Sequence, residues 1–271
     1  MRIGVLDSGI GGLTVLKTLI ENLGAQEYVY FGDEIHMPYG EKPLAQVHEY
    51  VENIAQFLYQ EENIDLLVIA CNTATVASFH ILQEELSIPV VGMIQPGSQL
   101  ALEKSNNRHI GVLATRGTVQ SEAYLQKLKE LAPDCQVVQE ACPDFVTLIE
   151  KTHVAQKEKE QAIFQHWTKL YQQDSKIDTV ILGCTHFPIW QANFQKYLPS
   201  IHWVNPAEEV ARQAKNYVPK EDKKATFTFY ITTGKEAFTQ HLEQMLPHLP
   251  METTRIKIFD WKKRGYDGTK N

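Results

Sequence analysis

Two cysteines of this sequence each follow a short apolar run and precede a group of polar residues. Residues 64–73 (IDLLVIACNT) recur 113 positions later as residues 177–186 (IDTVILGCTH), so Cys71 and Cys184 occupy equivalent positions. A thiolate can accept a proton, and a neutral thiol can donate one. If the two repeats face each other, the two sulfur atoms can act from opposite sides of one substrate.

The repeat extends beyond the cysteines. Residues 3–8 (IGVLDS) return as residues 110–115 (IGVLAT), and residues 87–91 (SIPVV) match residues 200–204 (SIHWV). Chance burial of a cysteine would not follow such a repeat, so we interpret the two repeated cysteines as functional thiols. We interpret Cys135 and Cys142, which have no place in the repeat, as small buried apolar residues.

Polar groups next to each repeated cysteine can tune its ionisation. Asn72 and Thr73 follow the first cysteine, Thr185 and His186 follow the second, and each pair precedes a predicted helix. A helix N-terminus and a nearby imidazole both favour the thiolate form of cysteine. The two segments therefore have the composition of acid/base sites.

A zinc site is a competing interpretation of the same residues, because Cys71, Cys184, His186 and Asp7 are all types that bind zinc. Their spacing follows neither the C-x₂-C nor the H-x₃-H pattern, and the ligands would have to come from two domains. We therefore predict no metal.

Two loops between predicted elements could contact a ligand. Residues 7–12 (DSGIGG) match neither the dinucleotide-binding pattern nor the P-loop, but backbone N–H groups of such a turn can bind a small anion at a helix N-terminus. The alternative is a simple turn in which Asp7 caps the helix. In the second loop, residues 32–40, the hydroxyl of Tyr39 and the N–H of Gly40 could contact a ligand.

Short β-branched runs alternate with helical patterns, which predicts the α/β class with mainly parallel sheets flanked by helices. The repeat predicts two pseudo-symmetric domains, the first of residues 1–95 plus 207–261 and the second of residues 96–206, followed by a polar tail of residues 262–271. The predicted strands are Ile3–Leu6, Tyr28–Phe31, Leu66–Ile69, Val90–Met93, Ile110–Leu113, Gln136–Glu140, Thr179–Leu182, His202–Val204 and Thr226–Ile231.

Polar residues follow several of these strands at their carboxyl ends. They are Asp7 and Ser8, residues 71–73, residues 115–118 and residues 184–186. Ligands of open parallel sheets bind beyond this edge. We therefore expect the four groups to meet in the cleft between the two domains.

The composition excludes several classes of function. The net charge of -7 argues against nucleic acid as a partner, and no apolar stretch approaches the roughly 20 residues that span a bilayer. The sequence starts in a strand-like run without a signal peptide, and four cysteines in 271 residues do not form a disulfide framework. We expect a cytoplasmic protein without nucleic-acid or membrane partners.

Five segments of the chain resemble the glutamate racemases, which belong to the aspartate/glutamate racemase family. The segments are residues 7–12 (DSGIGG), 38–40 (PYG), 70–75 (ACNTAT), 141–146 (ACPDFV) leading to Glu150, and 182–188 (LGCTHFP). The resemblance extends from Ile3 to about Asp260.

The resemblance implies a cofactor-independent enzyme that interconverts L- and D-glutamate without pyridoxal phosphate and supplies D-glutamate for peptidoglycan. It implies an active site between the two domains, and we further expect a homodimer. Cys71 and Cys184 would be the acid/base thiols, with Asp7 and His186 as their respective helpers and Glu150 near the second thiol. The implied substrate-binding residues are Asp7, Ser8, Tyr39, Gly40, Asn72, Thr73, Thr118, Thr185 and His186.

The chain departs from the family pattern in three places. Residues 34–36 (EIH) stand where the family usually has Thr-Ala-Arg, and Asn205 and Pro206 replace a frequent Asp-Ser pair. The sequence also begins at its first predicted strand, without the N-terminal extension that accompanies activation by a peptidoglycan precursor in some members. We therefore expect no regulation of that type.

Three other functions are compatible with these residues. A racemase of aspartate or a related small acid would use the same two thiols. A thiol-based redox or metal-binding module would form a disulfide between Cys71 and Cys184 or bind zinc. A non-catalytic interaction protein could use the same scaffold, although the intact pair of thiols with both helpers argues against it.

Overall fold

Two parallel β-sheets form the framework of the protein in the computed structural model, which describes residues 1–151, 154–219 and 224–264. The first sheet has the strand order β10-β9-β2-β1-β3-β4, and the second has the order β6-β5-β7-β8. The strands are β1 (Arg2–Asp7), β2 (Glu27–Gly32), β3 (Leu66–Ile69), β4 (Val90–Val91), β5 (His109–Ala114), β6 (Gln136–Ala141), β7 (Thr179–Gly183), β8 (His202–Val204), β9 (Thr226–Ile231) and β10 (Thr254–Ile258).

Helices lie between the strands, as the alternating pattern predicts. They are α1 (Leu13–Leu23), α2 (Leu44–Gln60), α3 (Asn72–Glu85), α4 (Ile94–Lys104), α5 (Arg116–Gln120), α6 (Ala123–Leu131), α7 (Pro143–Glu150), α8 (Gln156–Gln173), α9 (Gln191–Tyr197), α10 (Pro206–Ala214) and α11 (Lys235–Met245). Short 3₁₀ turns cover Glu34–His36, Tyr39–Glu41, Phe187–Trp190, Met251–Thr253 and Lys262–Arg264. Among the helices of the described residues, none combines the length and the apolar character needed to cross a membrane.

The sequence repeat is also a structural repeat. The order β2-β1-β3-β4 of the first sheet corresponds to β6-β5-β7-β8 of the second, and all of these pairings are parallel. Ile3 pairs with Leu66 just as Ile110 pairs with Thr179, so equivalent residues of the two repeats share the same register. The α/β class and the parallel sheets are confirmed.

The first sheet is buried on both faces, which explains why its central strands read as continuous apolar runs. Ile3 and Val5 of β1 point into a core with α1 and α10, whereas Leu6 points into a second core with α2 and α3. The apolar residues of α2, which recur at steps of three and four, are buried in that second core.

The chain crosses between the sheets through α4 and α10, which pack against each other. A Cβ atom on Gly97 of α4 would lie 3.0 Å from the ring of Pro206 in α10. The side chain of Asn205 accepts a hydrogen bond from the N–H of Ala207 and caps α10, so the departure at Asn205 and Pro206 still starts a helix.

Several boundaries differ from the prediction. The strand predicted to reach Met93 ends at Val91, and the predicted domain boundary between residues 95 and 96 falls inside the first turn of α4. The division into two domains stays a prediction. Residues 262–264 of the predicted tail form a 3₁₀ turn, and residues 265–271 lie outside the described part of the chain.

Strand β10 was absent from the predicted strands. Among the described strands it pairs only with β9, and its residues Arg255 and Lys257 are exposed while Ile256 is half-buried. Charged side chains are common on edge strands because they discourage pairing with another chain. The resulting mixture of charged and apolar residues hides the strand from a search for apolar runs.

The repeat places Asp178 before β7 where Asp65 stands before β3, but the two carboxylates have different partners. Asp178 accepts hydrogen bonds from the hydroxyls of Ser105 and Thr179 at 2.7 and 2.8 Å, and from the backbone N–H groups of residues 106 and 107. Burial opposes ionisation of Asp178, but these donors outweigh it and lower the pKa of Asp178 below its ordinary 3.8. From the described residues, Asp65 accepts one bond, donated by the N–H of Arg2 at 2.7 Å.

We expect Asp178→Asn to lower the free energy of unfolding by about 2 kcal/mol at neutral pH, because the charged acceptor of several bonds is lost. Since ionised Asp178 stabilises the fold, the difference from the wild type should shrink as the pH falls through the lowered pKa of Asp178. Urea denaturation at several pH values measures both effects. Asp65→Asn is the matched control and should cost about 1 kcal/mol or less; an equal cost at the two positions would contradict the argument.

Candidate active site

A small cavity lies where the carboxyl ends of the two sheets face each other. Its volume is about 20 Å³, which is close to the space that one water molecule needs. Residues from both repeats line it: Ser8, Met37, Pro38, Tyr39, Gly40, Cys71, Asn72, Thr73, Thr115, Val146, Cys184, Thr185 and His186.

The first thiol belongs to Cys71, which connects β3 to α3. Its sulfur is hydrogen-bonded to the backbone N–H of Ala74, in the first turn of α3, and to the side chain of Ser8. These contacts favour the thiolate, but burial and the nearby charge of Asp7 outweigh them and raise the pKa of Cys71 from 9.0 to about 12. Cys71 is therefore a neutral thiol at neutral pH.

The carboxylate of Asp7 lies behind this thiol and is fully buried. Its Oδ2 accepts hydrogen bonds from the N–H groups of Gly9 and Gly12 at 3.1 and 2.9 Å, and its Oδ1 accepts one from the hydroxyl of Thr185 at 3.2 Å. Burial raises the pKa of Asp7 above 3.8, although the charge of His186 and these bonds oppose the shift. At least two N–H groups of the glycine-rich turn therefore donate to Asp7 and not to a bound anion.

The second thiol belongs to Cys184, which connects β7 to the 3₁₀ turn Phe187–Trp190. Its sulfur lies 3.8 Å from Nδ1 of His186, and Nε2 of His186 lies 2.8 Å from Oε1 of Glu150. Burial alone would lower the pKa of His186, but the hydrogen bonds and charges of Cys184 and Glu150 raise it from 6.5 to about 10. The sulfur of Cys184 therefore faces a protonated imidazole at neutral pH.

Equivalent positions of the repeat carry different charges around the two thiols. Asp7 of the first repeat corresponds to Ala114 of the second, and His186 of the second corresponds to Thr73 of the first. Each repeat thus contributes one ionisable helper, at positions that are not equivalent. The thiols are related by pseudo-symmetry, but their electrostatic surroundings are not.

Hydroxyl groups from both repeats meet beside the thiols. The Thr73 hydroxyl lies 2.9 Å from that of Thr115 and 3.2 Å from that of Thr118. Asn72 is only 2% exposed, and its Nδ2 atom has no hydrogen-bond partner among the described residues. A buried amide N–H₂ group at a cavity wall is suited to a ligand oxygen, because an unpaired buried donor costs about 1–3 kcal/mol.

The loop that carries Tyr39 is fixed by a buried carboxylate. Asp33 accepts hydrogen bonds from the Tyr39 hydroxyl at 2.7 Å and from the indole N–H of Trp261 at 3.0 Å, and it lies 2.8 Å from Nδ1 of His36. The hydroxyl hydrogen of Tyr39 is thus already donated, whereas the sequence suggested that it would face a ligand. His36 belongs to the departing segment 34–36, which does not line the cavity.

Close approach across the cleft explains two glycines. A Cβ atom on Gly40 would lie 2.4 Å from the Cβ atom of Thr115, in the other repeat. A Cβ atom on Gly11 would lie 2.5 Å from Nδ1 of His186. Any side chain at either position would separate the two halves of the site.

The structure brings together most of the residues that the sequence singled out. Ser8, Tyr39, Gly40, Asn72, Thr73, Thr185, His186 and both thiols line the cavity. Three others support the wall from behind: Asp7 and Glu150 through the bonds described above, and Thr118 through Thr73. The list of implied substrate-binding residues omitted Met37, Pro38, Thr115 and Val146, although the polar group 115–118 was expected in the cleft and the repeat pairs Thr115 with Ser8.

The remaining cysteines lie elsewhere. Cys135 and Cys142 are buried beside β6, as expected for apolar residues, and all four cysteines are free thiols. Across residues 1–151, 154–219 and 224–264, no group of three or more His, Cys, Asp and Glu side chains is arranged to hold a metal ion.

Known proteins are similar to this chain in both sequence and fold. A family model described as Asp/Glu/Hydantoin racemase matches residues 3–214. A glutamate racemase of Latilactobacillus sakei is 41% identical over 273 residues, which cover 98% of each chain.

Solved structures give the same result. A glutamate racemase isoform of Bacillus anthracis superimposes with a TM-score of 0.88 at 33% identity, covering 96% of this chain and 97% of the other. A glutamate racemase of Francisella tularensis, solved in complex with D-glutamate, has a TM-score of 0.86 at 30% identity, with coverages of 97% and 98%.

The charged state of His186 can be tested directly. We expect ¹⁵N-histidine NMR to find an imidazolium at position 186 at about pH 8, because the pKa of His186 is raised to about 10. Glu150→Gln should lower that pKa, since it removes the negative charge beside the imidazole and keeps an oxygen acceptor. The spectrum of His186→Gln assigns the signal, and Glu158→Gln, which removes an exposed carboxylate paired with Lys151, is the control. A neutral imidazole at about pH 7 would contradict this description.

Proposed function

The chain belongs to the Asp/Glu/Hydantoin racemase family, and from this premise we propose that it is a glutamate racemase with a two-thiol mechanism. Cys71 and Cys184 would exchange protons with the α-carbon of glutamate from opposite faces. The observation that carries the proposal is that these two thiols, at equivalent strand ends of two facing sheets, line one cavity. The L. sakei relative and both solved neighbours support glutamate as the substrate.

Inversion of a stereocentre requires a proton acceptor on one face and a proton donor on the other. Cys71 is buried as a neutral thiol, whereas Cys184 faces the protonated imidazole of His186. We expect Cys184 to act first as the acceptor and Cys71 as the donor, and one turnover would exchange these roles.

After Cys71 donates its proton, its thiolate remains close to the N–H of Ala74 and the side chain of Ser8. The charge of Asp7 opposes this thiolate, so any proton gained by Asp7 would favour it. His186 supplies the main opposite charge that Asp7 meets. The two helpers would then act as one coupled set and not as separate partners of separate thiols.

Individual polar groups in the lining of the cavity suit an amino acid with two carboxylates. The unpaired amide nitrogen of Asn72 is a donor for a carboxylate oxygen, and Ser8, Thr73 and Thr185 add hydroxyl groups from both repeats. Acid/base groups contribute roughly 10²–10⁴ each to the rate, which is only part of the acceleration that the reaction needs. These hydrogen-bond donors would contribute a further part by stabilising the negative charge that develops on the substrate.

Aspartate racemisation is the second candidate, because the family model covers both substrates. The whole-length similarity to glutamate racemases favours glutamate. The ratio of kcat/KM for the two amino acids decides between them, and a ratio above one in favour of aspartate would overturn the substrate assignment.

We also propose that the enzyme supplies D-glutamate for peptidoglycan in the cytoplasm, where reducing conditions suit four free cysteines. The homodimer stays a prediction, which light scattering coupled to size-exclusion chromatography would test.

Cys71→Ala and Cys184→Ala should each reduce racemisation in both directions by at least about 10²-fold, because a site with one thiol cannot serve both faces of the α-carbon. Circular dichroism measures racemisation through the optical signal of the amino acid, and the spectrum of the protein itself shows whether each variant keeps the fold. Cys142→Ala is the matched control, since Cys142 is also buried at the start of a helix but lies outside the cavity. The wild type and Cys142→Ala should support growth of a bacterium that requires D-glutamate, whereas Cys71→Ala and Cys184→Ala should not. Near-normal turnover by either cysteine variant would refute the mechanism.

Deuterium labelling tests whether the two thiols work from opposite sides. Early conversion of L-glutamate in D₂O should give D-glutamate with deuterium at the α-carbon, because the donor thiol has exchanged with solvent, while recovered L-glutamate stays unlabelled. Chiral chromatography and mass spectrometry at low conversion measure both pools. Substantial deuterium in recovered L-glutamate, or substantial protium in the first D-glutamate, would indicate a single base or free exchange of the intermediate.

A further inference from the structure

A buried tyrosine outside the cavity donates a hydrogen bond to a side chain that lines the cavity. Tyr124 in α6 is fully buried, and its hydroxyl donates a hydrogen bond of 2.7 Å to Oδ1 of Asn72. Tyr124 belongs to the second repeat, whereas Asn72 begins α3 in the first. The contact therefore joins the two halves of the protein directly behind the substrate cavity.

The hydrogen bond from Tyr124 distinguishes the two ends of the Asn72 amide. A buried phenol hydrogen needs an acceptor, and an amide has its acceptor on the oxygen and its donors on the nitrogen. Because Oδ1 receives the Tyr124 hydrogen, Nδ2 lies on the other side, where it has no partner among the described residues. Burial and the charge of Cys184 raise the pKa of Tyr124, so this hydrogen stays in place at neutral pH.

The packing around Tyr124 leaves its ring little freedom. A Cβ atom on Gly97 in α4 would lie 3.0 Å from the Tyr124 hydroxyl, and a Cβ atom on Gly183 would lie 3.2 Å from the ring. Gly183 immediately precedes Cys184. The ring is thus held between α4 and the strand that carries the second thiol.

We propose that Tyr124 is a positioning residue that aims the Asn72 amide nitrogen at a substrate carboxylate. The inference rests on the proposed racemase function and adds a residue that does not touch the substrate. Without the phenol hydrogen, the amide could turn its oxygen towards the carboxylate, and two acceptors would then face each other. The amide nitrogen of Asn72 is oriented in this way only while Tyr124 of the second repeat contacts Asn72 of the first.

Tyr124→Phe tests the proposal because it removes the hydroxyl and keeps the ring. We expect KM for glutamate to rise about tenfold with a smaller change in kcat, because a ground-state contact to the carboxylate is weakened. Tyr28→Phe is the matched control: Tyr28 is also buried and donates to the carbonyl of Gly24 at 2.9 Å, far from the cavity. It should lose stability without a change in KM.

A double-mutant cycle separates positioning from a general effect on the fold. In the Asn72→Ala background there is no amide to orient, so Tyr124→Phe should leave kcat/KM unchanged. An equal loss in both backgrounds would overturn the proposal, as would a Tyr124→Phe enzyme with the wild-type KM.

Asn72→Asp is a second variant that does not alter Tyr124. It keeps an oxygen acceptor for the tyrosine and loses the donor, so KM should rise at least as much as in Tyr124→Phe; an unchanged KM would also refute the proposal. If the wild type and Tyr28→Phe do not racemise glutamate, the proposed function fails together with this inference. If both are active and only the Tyr124 expectations fail, the proposed function stands.

Discussion

The fully buried carboxylate of Asp7 is the constraint on which the arrangement of the site depends. An ionised carboxylate without water is costly unless hydrogen bonds and an opposite charge compensate for it. The first repeat supplies the N–H groups of Gly9 and Gly12, and the second supplies the Thr185 hydroxyl and the charge of His186. The two halves must therefore meet closely, which explains why a side chain on Gly11 would collide with His186. The buried carboxylate of Asp7 therefore explains both the close contact between the two halves and the placement of charge in the site.

A symmetric scaffold carries an asymmetric distribution of charged side chains. The two thiols occupy equivalent strand ends, but Asp7 corresponds to Ala114 and His186 corresponds to Thr73. Burial and the negative helper Asp7 raise the pKa of Cys71, while the positive helper His186 faces Cys184. The positions at which the two repeats differ are thus the ones that give the two thiols different electrostatic surroundings.

The sequence predicted what depends on local pattern and missed what depends on distant contacts. Apolar runs located the strands of both repeats, and the repeat itself aligned Cys71 with Cys184, because parallel strands in the same register end at the same edge. Strand β10 was not predicted because an edge strand needs few apolar residues. No local signal links Asp33 to Trp261 or Tyr124 to Asn72, since these contacts form between residues far apart in the chain. Side-chain direction, such as that of the Tyr39 hydroxyl, likewise follows from packing.

The size of the cavity connects these contacts to substrate binding. A volume of about 20 Å³ is close to the space of one water molecule, and the walls come from both repeats. The contacts that hold these walls together are those between the repeats: Thr73 with Thr115, Gly40 with Thr115, and Asn72 with Tyr124. The same contacts also order the hydroxyl and amide donors of the site. Packing of one repeat against the other therefore excludes water and orients the donors together, and donors that are oriented in a dry site stabilise charge more strongly than donors in water.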